Sequence, residues 1–322
     1  MLRANAGLGH ICAVIVVFGS IVLDLVVNPP RLPQRGETVL ADDYRLLPGG
    51  KGANQALAAA RAGADVRFVG CIGDDAFAAT ATTNLAAAAV DLAGLRTGTR
   101  PTACAAVVVD ARGDNQIVVA GGANAEVSVD QLAMQPPAAG DICLLQMEIP
   151  LAENWSAVQL ARQNGARVVL NAAPFADLPE AVLSDLGVLI VNEVEAAMLG
   201  QTYGLAARQP VELAAAIARR GDTTVVVTLG GDGAVATDGR ELLQAPALPV
   251  EVVDTVGAGD AFVGAYAAAL AENRTVDDCL RRGCVAGSLA CRQPGAQAGL
   301  PDRAAIDAAV SSVRVSRQPL PA

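Results

Sequence analysis

The feature that most limits the possible folds is the repeated alternation of short apolar runs with alanine-rich runs along most of the chain. The apolar runs are rich in β-branched residues and have the length of buried strands, whereas the alanine-rich runs have the length and composition of helices. We predict strands at 11–18, 66–70, 142–146, 168–170, 188–191 and 225–229. We predict helices at 53–62, 77–89, 152–164, 211–220, 259–271 and 276–291. The sequence therefore predicts an α/β fold with a doubly wound, mostly parallel sheet flanked by helices.

Two regions interrupt this alternation, at residues 22–47 and 102–120. In the second region, apolar runs at 104–109 and 116–120 flank a turn-rich connector, which is typical of a β-hairpin. The first region contains spaced prolines and several charges, as an extended arm would. We expect the two regions to form a small β-sheet that acts as a lid on a single domain spanning residues 1–322.

Charge and hydropathy argue against two classes of partner. The net charge of −10 and the aromatic content of 3% argue against nucleic acid, which requires basic surface and often stacking rings. An anionic ligand would have to be bound by local backbone amides and Mg²⁺ instead. The apolar run at 11–18 is too short to span a bilayer, so we expect no membrane insertion.

Cysteine and histidine content narrows the possible chemistry. The seven cysteines form no C-x-x-C pair, which indicates reduced thiols and a cytoplasmic protein. His10 is the single histidine of the sequence, so a Ser-His-Asp triad and most histidine-based metal sites are excluded. Any proton transfer must use a carboxylate, a lysine, a tyrosine or a cysteine.

The run Asp-Thr-Val-Gly-Ala-Gly-Asp-Ala-Phe at 254–262 places a carboxylate beside a glycine turn that opens a predicted helix. Gly257 and Gly259 allow a tight turn that directs backbone N–H groups to one point, and a helix N-terminus favours anions. A transferring phosphate would fit there, with Asp260 as the general base for an attacking hydroxyl. The alternative is an ordinary helix cap after a turn.

A second glycine motif, Gly-Gly-Lys-Gly-Ala-Asn-Gln-Ala at 49–56, also precedes a predicted helix. It is not a Walker loop, because Lys51 is followed by glycine rather than by serine or threonine. The motif suits close backbone approach to a polyhydroxyl ligand, with hydrogen bonds from Lys51 and Asn54. A plain loop-to-helix turn is the alternative.

Other polar residues follow predicted strands, where parallel sheets bind ligands. Asp24 and Glu148 are candidate ligand-facing carboxylates, with solvated loop acids as the alternative. Asn192 and Glu195 would lie on one face of a helical turn and orient a phosphate and hydrated Mg²⁺, although a helix cap also explains Asn192. The glycines at 230–233 admit a flat base or a phosphate as readily as a hairpin turn.

Taken together, the segments at 49–73 and 254–264 resemble the two signature segments of the phosphofructokinase-B family of carbohydrate kinases, and the similarity covers nearly the whole chain. Further local matches are Ala-Gly-Gly-Ala-Asn-Ala at 120–125, Gln-Met-Glu at 146–148, Asn-Glu-Val-Glu at 192–195 and Pro-Gly-Ala-Gln at 294–297. The resemblance to two signatures at once favours Asp260 as a catalytic base over a coincidental helix cap.

The resemblance implies a role for each matching position. Asp260 would be the base on the terminal sugar hydroxyl, and Gly257, Ala258 and Gly259 would form the amide anion hole. The sugar would be held by Asp24, Gly50, Lys51, Asn54 and Glu148. ATP would lie across Asn192, Glu195, Thr228, Gly230, Gly233 and the region of Cys284. A potassium ion beside the anion-hole loop would use Asp254, Val256, Ala290, Gln293, Gly295 and Gly299, several of them through backbone carbonyls. By analogy with the family, we also expect a homodimer formed through the lid sheets.

One position departs from the family pattern. Val22 stands where family members that phosphorylate ribose carry asparagine, so one hydrogen bond to the sugar would be missing. The resemblance implies an ATP-dependent, Mg²⁺-dependent pentose kinase, preferentially acting on the 5-hydroxyl of ribose. The alternatives are the same chemistry on another sugar or a nucleoside, a silent sugar-binding protein, and a dinucleotide-dependent oxidoreductase. The oxidoreductase lacks support because no G-x-G-x-x-G follows the first strand.

Overall fold

The computed structural model describes residues 13–320. Within these residues a ten-stranded sheet has the strand order β14-β13-β12-β11-β10-β9-β8-β1-β4-β5. Its strands are β1 Ile15–Phe18, β4 Val66–Ile72, β5 Asp91–Thr97, β8 Ile142–Gln146, β9 Arg167–Asn171, β10 Val188–Asn192, β11 Thr224–Thr228, β12 Ala234–Thr237, β13 Glu241–Ala245 and β14 Ser316–Pro319. The strands from β5 to β11 pair in parallel, and β12 to β14 continue the sheet antiparallel. The predicted doubly wound, mostly parallel sheet is confirmed.

Helices cover both faces of this sheet. Their bounds are α1 Lys51–Arg61, α2 Ala76–Ala87, α3 Val129–Met134, α4 Leu151–Gln163, α5 Glu180–Leu183, α6 Glu193–Thr202, α7 Pro210–Gly221, α8 Ala258–Ala271, α9 Val276–Ala290 and α10 Arg303–Ala309. Single 3₁₀ turns occur at Gly122–Glu126, Gly230–Asp232 and Val310–Ser312. The helix α8 begins at Ala258, one residue earlier than predicted, so Asp260 lies inside its first turn.

A separate four-stranded sheet is formed, in the described part of the chain, by β2 Val22–Val27, β3 Tyr44–Gly49, β6 Cys104–Val109 and β7 Asn115–Ala120. The hairpin predicted in the second region is the antiparallel pair of β6 and β7. In the first region, β2 and β3 pair antiparallel, and β2 pairs with β6 in parallel. The prediction of a small β-sheet outside the main sheet is confirmed, whereas its action as a lid and the single-domain assignment stay predictions.

The main sheet is apolar on both faces, as expected for parallel strands that are covered on both sides. Adjacent residues of β1 point in opposite directions: Val17 belongs to the core that packs with α1, α2, α8 and α9. Val16 belongs to the core that packs with α3, α4, α6 and α7. This double burial explains why the strand at 142–146 is predicted to the residue, since its first four residues are apolar with no alternation.

Close packing between α1 and α8 sets the position of the candidate site. A Cβ atom built on Gly264 of α8 would lie 2.4 Å from the Cβ atom of Ala58 and 2.7 Å from the backbone nitrogen of Ala59. Only glycine permits this approach, because a methyl group would overlap α1. The polar side chains at the start of α1 are thereby brought against the first turn of α8.

Some elements were not predicted or lie outside the description. The strands β5, β12, β13 and β14 were not predicted, because alanine or polar residues interrupt their sequences and β14 is fully exposed. The predicted strand 11–18 begins at Ile15 in the structure; residues 11 and 12, like His10, lie outside the described residues. In residues 13–320, the structure contains no helix that is both long and apolar enough to cross a membrane.

Candidate active site

Polar residues gather where parallel strands of the main sheet end. Ser20 follows β1, Glu148 follows β8, Asn171 ends β9, Asn192 ends β10 and Thr228 ends β11. In open α/β sheets this edge carries the ligand crevice, because the chain leaves neighbouring strands in opposite directions there. The candidate site therefore lies where this kind of fold has its ligand-binding crevice, between this edge of the sheet, α1 and α8.

The start of α1 is held against the end of β1 by the glycine motif. Gly50 has a φ of +88°, and a Cβ atom on it would lie 2.8 Å from the backbone nitrogen of Val22. A Cβ atom on Gly52 would lie 2.5 Å from the backbone nitrogen of Ser20. The two glycines are thus required by close approach to the protein's own backbone, which a loop-to-helix turn also explains.

Glu148 joins three segments at this point. Its Oε2 atom accepts hydrogen bonds from the Ser20 hydroxyl at 2.6 Å and from the Lys51 backbone nitrogen at 2.8 Å. The Ser20 hydroxyl in turn accepts from the Gly52 backbone nitrogen at 3.2 Å. The carboxylate therefore accepts a hydrogen bond from an amide of the first turn of α1, and its negative charge interacts favourably with the helix dipole.

Asp24 lies on β2, on the same face of the strand as Val22, since alternate residues of a strand share a face. Burial, and then the nearby Glu148 carboxylate, raise the pKa of Asp24 to about 6. Two carboxylates so close together favour a ligand that donates several hydrogen bonds, as sugar hydroxyls do. Val22 itself is buried and packs with Ala103 and Ala105 of the small sheet.

The raised pKa of Asp24 predicts a pH-dependent gain of stability in the variant Asp24→Asn. The folded protein holds this proton more tightly than the unfolded chain, so the stability from protonated Asp24 is fully present below about pH 4 and is lost as pH rises through about 6. At pH 8 we expect the variant to be more stable than wild type by about 1–3 kcal/mol, with the difference shrinking toward pH 4. Urea unfolding at both pH values is the measurement, and an equal difference at both would contradict the burial of this carboxylate.

Asp260 is 7% exposed and is held by two amide side chains of α1. Asn54 donates to its Oδ2 atom and Gln55 to its Oδ1 atom, each at 2.9 Å. Burial raises the pKa of Asp260, while the charge of Lys51 and the hydrogen bonds from Asn54 and Gln55 lower it. The carboxylate is thus fixed in orientation and poised to take a proton.

The loop before Asp260 turns sharply against a neighbouring segment. Gly257 has a φ of +79°, and a Cβ atom on it would lie 2.5 Å from the carbonyl oxygen of Ala296. Ala258 starts α8, and a Cβ atom on Gly259 would meet open space. The Ala258 backbone nitrogen donates to the Thr255 carbonyl oxygen at 3.2 Å. The other first amides of the helix lack intrahelical acceptors, so an anion beside Asp260 could accept from them on this open side.

Two of the residues predicted to bind the nucleotide, Asn192 and Glu195, also form a helix cap. Asn192 caps α6: its side chain accepts from the Glu195 backbone nitrogen at 2.8 Å, and the Glu195 carboxylate accepts from the Asn192 backbone nitrogen at 2.8 Å. Burial raises the pKa of Glu195, and the charge of Lys51 lowers it. Lys51 therefore lies close enough to influence both Glu195 and Asp260.

The remaining predicted nucleotide residues differ in accessibility. Thr228 is half-buried, and Gly230 is exposed with open space around it. Gly233 is buried, and its Cβ atom would lie 2.1 Å from the carbonyl oxygen of Ala245, so a hairpin constraint explains this glycine. Cys284 is buried with its thiol 3.7 Å from the same carbonyl oxygen, and does not present a side chain to a ligand.

The residues predicted to hold potassium lie in two neighbouring segments, 254–256 and 290–299. The Asp254 carboxylate accepts from the backbone nitrogens of Val256 at 3.0 Å and Gly295 at 2.8 Å. A Cβ atom on Gly299 would lie 2.4 Å from the carbonyl oxygen of Ala290 and 3.4 Å from that of Gln293. Carbonyl oxygens and one carboxylate, rather than thiols or imidazoles, form the donor set that a hard cation requires.

Several polar residues that contact this constellation were missed by the sequence analysis. Ser20, Gln55, Asn171 and Gln297 are all nine-tenths or more buried, and Gln55 touches Asp260 directly. Gln55 and Gln297 stand within the matched motifs at 49–56 and 294–297, which was the available signal. Their contacts arise only when α1 packs against α8.

Comparison with known proteins shows the family to which the chain belongs. Residues 13–303 match the pfkB family of carbohydrate kinases. The chain belongs to this family. It is 36% identical over 302 residues to a ribokinase of Bacillus subtilis, covering 92% of this chain and 99% of the relative. It is 35% identical over 292 residues to a ribokinase of Haemophilus influenzae, covering 90% and 95% respectively.

Solved structures of family members have the same fold. A ribokinase of Thermotoga maritima superposes with a TM-score of 0.86 at 30% identity, covering 93% of this chain and 99% of that one. An Arabidopsis thaliana ribokinase complexed with ribose and ATP gives a TM-score of 0.84 at 33% identity, covering 92% and 98%. The family resemblance stated from the two signature segments is confirmed, and this protein is a carbohydrate kinase.

Proposed function

We propose that this carbohydrate kinase transfers the γ-phosphate of ATP to the 5-hydroxyl of D-ribose. The observation that carries the proposal is the buried carboxylate of Asp260, oriented by two amides and placed at the open N-terminus of α8. The relatives and the Arabidopsis complex support ribose and ATP as the substrates. A base and an anion-binding helix end at one point are the parts that phosphoryl transfer needs.

The sugar would lie between the small sheet and the start of α1. Asp24 and Glu148 would accept hydrogen bonds from its hydroxyls, while Lys51, Asn54 and the backbone at Gly50 would contact it from the helix. Asp260 takes the proton of the 5-hydroxyl while the hydroxyl oxygen bonds to the γ-phosphorus. At the same time the bond between the γ-phosphorus and the bridging oxygen of the β-phosphate breaks, and ADP leaves. The amides of Gly257, Ala258 and Gly259 stabilise the negative charge that spreads over the γ-oxygens.

ATP would extend from α8 along the ends of β10 and β11, past Asn192, Glu195, Thr228, Gly230 and Gly233. Glu195, whose carboxylate also accepts from the Asn192 backbone nitrogen, would face a Mg²⁺ held largely by phosphates and water. Bound Mg²⁺ would neutralise the phosphate charge. Lys51 would lie between the sugar carboxylates and the nucleotide.

A substrate screen tests the proposed function. The purified protein is incubated with ATP, Mg²⁺ and each of ribose, deoxyribose, other pentoses, fructose and nucleosides, with and without K⁺, and ADP release is followed. We expect ribose to give the highest kcat/KM. No ADP release with any acceptor would support a silent binding protein, and a different preferred acceptor would replace ribose.

We also propose a monovalent cation site at Asp254 and the neighbouring carbonyl oxygens, which the contacts between the segments 254–256 and 290–299 support. These residues adjoin the loop that carries Gly257, because Ala296 contacts Gly257 and lies next to Gly295. An ion held there would order the anion hole without touching substrate.

Potassium is expected to activate the enzyme more than sodium. An ion at Asp254 would stabilise the turn in which Gly257 has a positive φ, so kcat should rise in K⁺ and fall toward a basal value in Na⁺ or in ion-free buffer. The variant Asp254→Asn should lose this difference. Steady-state kinetics with tetramethylammonium salts as the ionic-strength control measures it, and equal kcat/KM in K⁺ and in K⁺-free buffer would dismiss the site.

Val22 is expected to weaken ribose recognition. Its isopropyl group lies on the same strand face as Asp24 and cannot bond to a hydroxyl, and an unpaired buried hydroxyl costs about 1–3 kcal/mol. Val22→Asn should therefore raise kcat/KM for ribose relative to a pentose that lacks the facing hydroxyl. Both proteins are assayed with both sugars. An unchanged ratio would mean that Val22 does not contact the sugar.

The assembly and compartment complete the proposal. The edge strand β7 exposes Ile117, Val118 and Val119 at 54%, 71% and 60%. An apolar edge strand suits pairing with a second copy, so we propose a homodimer through the lid sheets. The cysteines of the described residues are unpaired, which supports a reducing, cytoplasmic location.

A further inference from the structure

A chain of buried amide side chains reaches Asp260 from two sides. On one side Asn84 donates to Gln297 at 2.9 Å, Gln297 donates to Asn54 at 2.9 Å, and Asn54 donates to Asp260 at 2.9 Å. On the other side Gln146 donates to Gln55 at 2.7 Å, and Gln55 donates to Asp260 at 2.9 Å. Apart from Asn84, these amides are all nine-tenths or more buried.

The direction of every bond is the same. An ionised carboxylate only accepts, so Asn54 and Gln55 must turn their NH₂ groups toward Asp260. Their carbonyl oxygens then face away and need donors, which Gln297 and Gln146 supply. Each amide in the chain therefore donates toward Asp260.

A backbone group fixes this direction on the Gln55 side. Asn171 donates through Nδ2 to the carbonyl oxygen of Ile190 at 3.1 Å, and a carbonyl can only accept. The Oδ1 atom of Asn171 must therefore face Gln55, and it accepts from Gln55 Nε2 at 2.9 Å. This arrangement holds even though the Oε1 atom of Gln146 is buried without a partner among the described residues, which is unfavourable.

We propose that Gln55 and Gln297 are positioning residues, which, with Asn84 behind Gln297, hold the Asp260 carboxylate ionised and fixed in its plane. The proposal rests on the proposed function, in which Asp260 takes the proton of the sugar hydroxyl. Protonation of Asp260 makes the carboxyl group a weaker acceptor, so the hydrogen bonds from Asn54 and Gln55 favour the ionised form. The chain thereby opposes burial and the Glu148 charge, which favour the protonated form, and acts together with Lys51.

Two variants test the chain at increasing distance from Asp260. Gln297→Met keeps the length of the side chain but removes the donor to Asn54. Asn84→Asp, at a half-buried position, removes the donor to Gln297 and forces Gln297 and then Asn54 to rotate, which turns an oxygen toward Asp260. For both we expect kcat to fall about tenfold, KM for ribose and ATP to stay within about threefold, and the acidic limb of the kcat profile to move up by about one pH unit.

Thr83→Asp is the matched control for charge. Thr83 is the exposed neighbour of Asn84 on α2 and its hydroxyl bonds only the Ala79 carbonyl, so the variant adds the same charge outside the chain. We expect its kcat and pH profile to equal those of wild type. Wild-type kcat and an unmoved acidic limb in Asn84→Asp would overturn the proposal. This test is sufficient even if Gln297→Met does not fold.

A second readout does not depend on turnover. Aspartate labelled with ¹³C at the carboxyl carbon is titrated by NMR, and the Asp260 signal is assigned by its absence in Asp260→Asn. We expect the Asp260 pKa to be higher in both variants than in wild type and Thr83→Asp. If the wild-type protein fails to phosphorylate ribose, the proposed function is wrong, but this titration still tests the role of the amide chain. An unchanged Asp260 pKa in both variants would overturn that role.

Discussion

Replacing Asp260 by asparagine is expected to lower kcat by about 10²–10⁴-fold, because the amide cannot accept the proton of the attacking hydroxyl. Asp260 now accepts from both Asn54 and Gln55, so the new NH₂ group must face one of these donors. We expect sugar and ATP binding to stay within a few-fold, since both substrates keep their other contacts. Steady-state kinetics gives the first value, and calorimetric titration of each substrate gives the second.

Asp130→Asn is the matched control for this change. Asp130 also lies in the first turn of a helix, α3, but is exposed and far from the candidate site. It should have wild-type kcat, which separates the loss of a base from a general effect of removing an acid from a helix start. Retention of most of kcat in Asp260→Asn would remove Asp260 from the mechanism.

The second large effect is expected for Gly257→Ala. Its φ of +79° is disfavoured for alanine by about 1–2 kcal/mol, and the added methyl group would lie 2.5 Å from the Ala296 carbonyl oxygen. The loop must shift, which displaces the amides that face the transferring phosphate. Because the loss of one such donor costs about 10²–10³ in kcat, we expect a fall of at least this size.

Gly204→Ala separates backbone strain from loop displacement. Gly204 has a φ of +64° on an exposed loop, and nothing lies within 4 Å of its built Cβ atom. We expect this variant to lose a similar increment of stability and to keep its kcat. If Gly257→Ala is no more impaired in kcat than Gly204→Ala, the anion hole does not depend on the turn at Gly257.

The sequence could predict what local pattern determines. The strand at 142–146 is predicted to the residue because four consecutive apolar residues buried on both faces have few alternatives. The strands β12 and β14 were missed because β12 alternates alanine with β-branched residues and β14 is polar and exposed, so neither is an unbroken apolar run. The pairing of β2 with β6 likewise depends on contacts distant in sequence.

The candidate site divides in the same way. Asp260 and Asn54 were predicted because each stands in a glycine motif that opens a helix, and the structure brings them together. Gln55 and Gln297 were not, because their bonds join residues 205 and 243 positions apart and exist only after α1 and α8 pack. Cys284 was named from family position, and the structure places its thiol in the core.

The close packing of α1 on α8 at Gly264 has a consequence for how acceptor specificity can diverge. One helix, α1, carries Lys51 and Asn54, which we propose contact the acceptor, and both Asn54 and Gln55 donate to Asp260. Any backbone shift of α1 that reshapes the pocket would therefore also move the two amides that orient the proposed base. The side chains of Val22 and Asp24 on β2, by contrast, form no described hydrogen bond to α8 or to its loop. Engineering of new acceptors should therefore begin on β2, leaving α1 unaltered.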